Sequence, residues 1–239
     1  MQKNNIEILN NILLEIKTIP YENITKIFRL VLSSENRPRN FSLLLKENKE
    51  LFRGGTCFSL SNTIMQLLRN NNISANAIIG EMERETFPHF FVIININDEK
   101  YIVDPGFMIY EPVKLTKKEV MEFSTSITKY LLKYNNEKHY ELYSIKNSKK
   151  KFRYKFSESC ITDEKFKEYW IRSFDYLNKI VASRIINNKH IFISGEYVQI
   201  RQKNTIEKYK NRKIAHKYLM KYFNFTRKEI LNAENILKT

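Results

Sequence analysis

The chain is poor in the residues that build disulfide scaffolds, fibres and membrane spans. Its 239 residues include 2 cysteines, 5 glycines and 5 prolines. So few cysteines exclude a disulfide-rich scaffold or a four-cysteine zinc site, and so little glycine and proline excludes a collagen-like or low-complexity chain. No uninterrupted apolar run approaches the roughly 18 residues that a membrane-spanning helix needs, so we expect no membrane partner.

Acidic residues are scarce as well, with 26 against 41 basic residues and a net charge of +15. The lysines are spread along the chain, and the dense run at residues 149–151 has no nucleic-acid-binding motif beside it. We therefore expect a solvated basic surface that also attracts an anionic cofactor, and no nucleic-acid partner. The first residues lack the apolar core of a signal peptide, which predicts a cytoplasmic protein.

The pattern of hydrophobic residues, which make up 42% of the chain, predicts an α+β fold. Apolar spacings of three and four predict helices over residues 4–17, 40–51, 57–68, 117–134, 210–222 and 226–237, and a helix or coil follows residue 163. Short apolar runs predict strands over residues 75–80, 89–95, 100–104, 140–145, 151–156, 179–186 and 190–201. We find no internal repeat and no flexible linker.

Cys57 is the first candidate catalytic residue. It ends the sequence Arg-Gly-Gly-Thr-Cys at residues 53–57 and opens the predicted helix over residues 57–68. The unpaired amides and the positive end of the helix dipole at that point favour the thiolate form of a cysteine. Gly54 and Gly55 allow a sharp turn into the helix and leave the sulfur approachable. Cys57 is therefore the predicted nucleophile.

A histidine and an aspartate follow on two predicted strands that are joined at residues 95–98. If those four residues form the turn, Ile94 pairs with Glu99 and His89 lies directly opposite Asp104. A slip of one residue would place the two side chains on opposite faces of the sheet. In the predicted pairing Asp104 fixes the tautomer of the imidazole, and His89 carries the proton of a cysteine thiol. Together with the cysteine, the pair predicts a cysteine-based acyl-transfer enzyme that needs no metal.

These residues stand in four short motifs. In chain order they are Ile-Pro-Tyr-Glu-Asn at residues 19–23, Arg-Gly-Gly-Thr-Cys-Phe at 53–58, Pro-His-Phe at 88–90 and Val-Asp-Pro-Gly-Phe at 103–107. In these motifs and their order the chain resembles the arylamine N-acetyltransferase family. The resemblance implies a transglutaminase- or papain-like cysteine catalytic core in three domains. These are a helical N-terminal domain over residues 1–74 with the catalytic cysteine at a helix start, a central antiparallel β-barrel domain over residues 75–160 with the histidine and aspartate, and a C-terminal α/β lid over residues 161–239.

The resemblance also implies the reaction. An acetyl group would pass from acetyl-CoA to Cys57, and from that thioester to a small-molecule amine acceptor, in a ping-pong mechanism. Acceptors in the family are arylamines, hydrazines and N-hydroxyarylamines. His89 would act as base and acid, and Asp104 would orient it. Coenzyme A would be the anionic partner that the basic surface attracts, and no metal is implied.

The resemblance also implies roles for five further residues. Phe107 would lie near the acceptor and contribute to substrate binding. Arg53 and Glu22 would form an ion pair that holds the loop before the cysteine. Gly54 and Gly55 would be structural residues of the same loop.

Two alternatives stay open at this point. The same triad in a transglutaminase-like setting would cleave amides or peptides, or build amides from another acyl donor. Met108, which stands where the family usually has a glycine, keeps this amidase alternative open. A basic interaction protein on the same scaffold would instead bind nucleic acid in a salt-dependent way and show no cysteine reactivity. Neither the physiological acceptor nor an oligomeric state follows from the sequence.

Overall fold

The computed structural model describes residues 4–83, 87–135, 139–202 and 205–238. By internal contacts the chain divides into two compact units, each built from two stretches of sequence. The first unit takes the chain up to Thr18 and the stretch Leu60–Lys167. The second unit takes Ile19–Ser59 and the chain from Glu168 onward. The domain boundaries at residues 74 and 160, and the role of residues 161–239 as a lid, stay predictions.

Helices and strands alternate irregularly along the chain. The helices are α1 (Asn5–Ile16), α2 (Ile24–Phe28), α3 (Phe41–Leu51), α4 (Cys57–Arg69), α5 (Asp163–Arg172), α6 (Arg212–Phe223) and α7 (Arg227–Ile236), with 3-10 turns at Arg29–Val31, Ser34–Asn36 and Ser173–Tyr176. The strands are β1 (Tyr21–Glu22), β2 (Ser74–Gly80), β3 (His89–Ile96), β4 (Glu99–Asp104), β5 (Ile109–Lys114), β6 (Val120–Ser124), β7 (Lys129–Tyr134), β8 (His139–Lys146), β9 (Lys149–Ser157), β10 (Val181–Ile186), β11 (Lys189–Ser194), β12 (Tyr197–Gln202) and β13 (Thr205–Lys210).

The first unit contains two antiparallel four-stranded sheets, β2-β3-β4-β5 and β6-β7-β8-β9. Aromatic side chains join them: the ring of Phe91 on β3 lies 4.9 Å from that of Tyr154 and 5.1 Å from that of Phe156, both on β9. Among the described residues the link between β9 and the end of β2 is the isolated bridge Glu81↔Lys155, and both sheets stay open. The predicted closed β-barrel is therefore wrong, whereas the mixed α+β class with antiparallel sheets is confirmed.

The predicted helix over residues 117–134 is also wrong, because this segment forms the hairpin of β6 and β7. Phe123 and Tyr130 are cross-strand partners there, and their rings stack with centroids 5.4 Å apart. Tyr130, Leu131 and Leu132 are all buried. Such a run of buried residues is compatible with a strand between two neighbouring strands as well as with a helix. Apolar spacing alone therefore assigned the segment to the wrong type of element.

The second unit is a five-stranded antiparallel sheet in the order β1-β10-β11-β12-β13. Its core lies between the sheet and helices α2, α6 and α7, which contribute buried residues such as Ile27, Leu219 and Ile230. The predicted strand over residues 190–201 is split into β11 and β12 by a turn at Gly195, where φ is +58°. Strand β13 was not predicted, because its residues are mostly exposed and polar.

No helix in the described ranges is long and apolar enough to cross a membrane.

Candidate active site

His89 and Asp104 lie on neighbouring strands, but their register differs from the predicted one. Ile96 pairs with Glu99, so the turn consists of two residues, both with positive φ, rather than four. The register is thus displaced by two residues, and His89 stands diagonally across from Asp104. Because side chains alternate between faces with a period of two, this displacement leaves both on the same face of the sheet. The predicted direct pairing is wrong, and the predicted proximity is confirmed.

The Asp104 carboxylate is fully buried and accepts hydrogen bonds from four neighbours. His89 Nε2 lies 2.9 Å from each carboxylate oxygen. The amides of Gly106 and Phe107 donate to Oδ1 at 2.9 and 3.2 Å. The hydroxyl of Tyr154 donates to Oδ2 at 2.7 Å. Buried charges require partners of this kind, so the carboxylate is held in a single orientation against the imidazole.

Tyr154 is a site residue that the sequence did not reveal. Burial, followed by the charge of Asp104, raises the pKa of Tyr154 well above its usual value, so the hydroxyl remains a hydrogen-bond donor. Its partner lies 50 positions earlier in the chain, on a strand of the other sheet. No local motif could have indicated the contact.

Packing also fixes the imidazole of His89. Its ring centroid lies 5.9 Å from Phe91, 5.1 Å from Phe107 and 5.2 Å from Tyr154. A Cβ on Gly106 would come within 2.5 Å of His89 Cε1, so only glycine fits beside the ring. Phe107, expected near the acceptor, therefore touches the imidazole edge, and its role in acceptor binding stays a prediction.

Met108 ends the turn that carries Asp104. Its φ is +57°, and its amide donates to the carbonyl of Pro105 at 3.3 Å. A residue in this left-handed conformation is usually glycine, because a Cβ is strained there. Met108 thus holds a backbone conformation that favours glycine, and its side chain is buried.

Cys57 is the first residue of α4 and is partly buried, with a free thiol. The loop before it is held by backbone contacts: the amide of Gly55 donates to Pro20 O at 3.1 Å, and the amide of Glu22 donates to Gly55 O at 3.0 Å. A Cβ on Gly54 would lie 1.8 Å from Pro20 O, a clash with backbone that cannot move aside. The structural role of this loop stays a prediction, which these contacts support.

The predicted ion pair between Arg53 and Glu22 is wrong. The Arg53 guanidinium pairs with Glu229 at 2.5 Å. Glu22 is fully buried and accepts from the amide of Gly54 at 3.0 Å and from the amide and hydroxyl of Thr25. Burial raises the pKa of Glu22, and the hydrogen bonds from Thr25 and Gly54 together with the charges of Arg39 and Arg53 oppose the shift. Arg53 therefore acts on Glu22 through its charge and not through a direct ion pair.

Lys26 is a second residue that sequence reasoning missed. Its ammonium donates to the carbonyl and the hydroxyl of Ser173 at 3.0 and 2.6 Å. It lies 4.6 Å from the ring centroid of Phe174 and 5.8 Å from that of Phe58, the residue after Cys57. Burial lowers the pKa of Lys26 to about 8, against an opposing effect of Cys57.

Comparison with known proteins identifies similar sequences and folds. A family model described as N-acetyltransferase matches residues 5–229. No curated protein sequence matches the chain closely enough to count as a relative. Among the described residues no group of three His, Cys, Asp or Glu side chains is placed to hold a metal ion.

Solved structures of low sequence identity share the fold. The arylamine N-acetyltransferase of Mycobacterium smegmatis is 14% identical with a TM-score of 0.78, and the match covers 99% of this chain and 94% of that one. The Mycobacterium marinum enzyme, solved in complex with CoA, is 15% identical with a TM-score of 0.74, covering 98% and 92%. A Bacillus cereus arylamine N-acetyltransferase described as having a unique Cys-His-Glu catalytic triad is 16% identical with a TM-score of 0.72, covering 95% and 93%.

Proposed function

Because this chain belongs to the arylamine N-acetyltransferase family, we propose that it moves an acetyl group from acetyl-CoA to an arylamine, hydrazine or N-hydroxyarylamine through a thioester on Cys57. The observation that carries the proposal is the buried His89–Asp104 pair, in a chain whose Cys57 opens a helix behind a glycine loop. The similar Mycobacterium marinum enzyme was solved with CoA, which supports coenzyme A as the carrier of the acyl group.

The contact between His89 and Asp104 supports the proton transfers that we propose. In this proposal Nε2 of His89 donates to Asp104, and Nδ1 takes the thiol proton of Cys57. The thiolate attacks the thioester carbon of acetyl-CoA, and the tetrahedral oxyanion forms near the first amides of α4. The intermediate collapses, the acetyl group stays on the sulfur, and the coenzyme A sulfur takes the proton from His89.

The second half-reaction uses the same residues in reverse. The acceptor amine attacks the acetyl-Cys57 carbonyl, and His89 Nδ1 removes the proton of the amine nitrogen. The thiolate of Cys57 leaves, and the acetylated amine is released. Throughout both halves Asp104 keeps the imidazole in one tautomer and one orientation, and it is held there by the turn amides and Tyr154. Phe107, which touches the imidazole edge, is the side chain we assign to acceptor contact.

A mass measurement without acceptor tests the proposal. The protein is mixed with acetyl-CoA and weighed intact, with Cys57→Ala as the matched control. We expect one acetyl group per chain, absent from the control, and its loss when an arylamine such as 4-methoxyaniline is added. A Cys57 thiol that alkylates quickly yet takes no acetyl group would contradict the proposal and support the alternative of an amidase or an amide synthase with another acyl donor.

We also propose that the protein acts in the cytoplasm. Both cysteines, Cys57 and Cys160, are free thiols, and a thiol nucleophile persists in a reducing compartment. Cell fractionation with an antibody against the chain tests this, and recovery outside the cytoplasm would contradict it.

A further inference from the structure

We propose that Lys26 is a positioning residue that holds Cys57 as a thiolate by supplying a buried cation beside the start of α4. The proposal deepens the proposed function and rests on it for the role of Cys57. Lys26 would touch neither acyl donor nor acceptor, so it is not itself a catalytic residue.

Lys26 lies near the residues on both sides of Cys57 in the sequence. Its ammonium nitrogen is 5.8 Å from the ring centroid of Phe58, the residue after the cysteine. The residue Lys26 also lines a small cavity together with Gly55 and Thr56, the two residues before the cysteine. The nitrogen is fixed there by its two hydrogen bonds to Ser173, so the charge has a defined position.

The contacts of Lys26 leave its charge without an adjacent carboxylate. Among the described residues its hydrogen-bond partners are neutral, and no ion pair to it occurs. Two groups act on it electrostatically and raise its pKa against the effect of burial: Cys57, with the larger effect, and Asp175. A buried cation requires a counter-charge. The Cys57 thiolate is the stronger candidate for that counter-charge.

The other cations around the cavity have oxygen partners of their own. Arg39 pairs with Glu47 and donates to the carbonyl of Gly54, while Arg29 and Arg37 donate to backbone carbonyls of the loop around the 3-10 turns. Lys26 differs from them because its ammonium lies against the ring of Phe58 and because Cys57 acts on it electrostatically. The cavity has a volume of about 10 Å³, about the least that holds a single water molecule.

A purely structural role is the competing explanation, because Ser173 could use the lysine to tie α2 to the 3-10 turn. The two roles differ in one measurement. A structural lysine affects folding stability but leaves the pH dependence of Cys57 reactivity unchanged. A lysine that stabilises the thiolate moves that pH dependence, whatever it does to stability.

The first experiment follows alkylation of Cys57 by iodoacetamide against pH, without acetyl-CoA, in a Cys160→Ser background. We expect Lys26→Met to move the midpoint of the profile upward by about one pH unit, a roughly tenfold loss of rate well below the midpoint. Lys26→Arg keeps the charge and should stay near the parent profile. Ser173→Ala removes one hydrogen bond but no charge and serves as the matched control. An unchanged midpoint in folded Lys26→Met protein would overturn the proposal.

The second experiment does not depend on the folding of Lys26→Met. The Lys26 side-chain signal is titrated by NMR in lysine-labelled protein, with Lys26→Arg for assignment, and compared with Cys57→Ala. We expect the pKa of Lys26 to fall further below about 8 when the thiolate is removed. An unchanged Lys26 titration would overturn the proposal. Because neither experiment uses acetyl-CoA, a failure of the acetyl adduct to form would contradict the proposed function and leave this inference to be judged separately.

Discussion

At the residue scale, the candidate site depends on the hydrogen bonds that one buried carboxylate accepts. Asp104 is completely inaccessible to solvent, and its donors are an imidazole, two turn amides and the Tyr154 hydroxyl. Together these donors hold the carboxylate in a single orientation, and the imidazole is aligned as a consequence. The Tyr154 hydroxyl is the donor that can be removed without changing the backbone.

We expect Tyr154→Phe to slow formation of the acetyl-enzyme about tenfold, because a hydrogen bond to a charged group contributes roughly 1.5–3 kcal/mol. Single-turnover kinetics with acetyl-CoA at several pH values measures the effect. Tyr140→Phe is the matched control, since its hydroxyl donates to Glu158 at 2.9 Å, outside the site. Equal rates for the Tyr154 variant and the parent would show that the other donors suffice to hold Asp104.

At the element scale, the β10–β11 hairpin contains a half-buried histidine that takes no part in the proposed mechanism. His190 on β11 faces Ser183 on β10, with Nε2 2.8 Å from the hydroxyl oxygen. Burial, and then the charge of Arg201 on β12, lowers the pKa of His190 to about 4. The residue is therefore neutral in the folded sheet at neutral pH, whereas the unfolded chain protonates it below about pH 6.5.

This difference predicts acid sensitivity. Because the folded pKa is depressed, the unfolded state binds more protons between about pH 6.5 and 4, and stability falls as the pH falls through that window. We expect His190 to account for about 2 kcal/mol of lost unfolding free energy between pH 7 and pH 5. Urea denaturation at both pH values should show this loss in the parent protein and reduce it in His190→Gln. His139→Gln, at the start of β8, is the control, and an equal loss in all three proteins would refute the assignment.

At the scale of the whole molecule, the loop before Cys57 depends on a residue near the end of the chain. Arg53 is mostly buried and pairs with Glu229, and it also donates to the carbonyl of Asn224 at 2.9 Å. Glu229 in turn completes the N-terminal cap of α7 with Thr226. The Arg53 guanidinium is therefore one of the contacts that connect the early and late sequence stretches of the second unit.

We expect Arg53→Met to lower the unfolding free energy by about 3 kcal/mol, because removing one partner leaves a partly buried charge uncompensated. Urea denaturation with tryptophan fluorescence measures the change. Arg212→Met is the matched control, since its pair with Glu234 is more exposed and should contribute about 1 kcal/mol or less. A loss for Arg53→Met no larger than for the control would mean that the Glu229 pair does not stabilise the loop.

The sequence by itself determined the candidate residues and most of the elements. The order of Cys57, His89 and Asp104, the glycine loop and the apolar spacing of α1, α3, α4, α6 and α7 are local patterns, and local patterns can be read along the chain. Strands β2, β3, β4, β8 and β9 were likewise found where short apolar runs predicted them. The predicted register was wrong by two residues. Because side chains alternate between the faces of a strand with a period of two, the prediction still placed His89 and Asp104 on the same face.

Only the tertiary structure decided the contacts between distant residues. The partner of Arg53 lies 176 positions away, Tyr154 reaches Asp104 from the other sheet, and Lys26 meets Ser173 across 147 positions. The tertiary structure also decided the two-residue turn between β3 and β4 and the open edges of the sheets. Backbone pairing depends on competition between neighbouring strands rather than on any one segment. Burial is a property of the assembled chain, and it is burial that makes Lys26 and Asp104 depend on their partners.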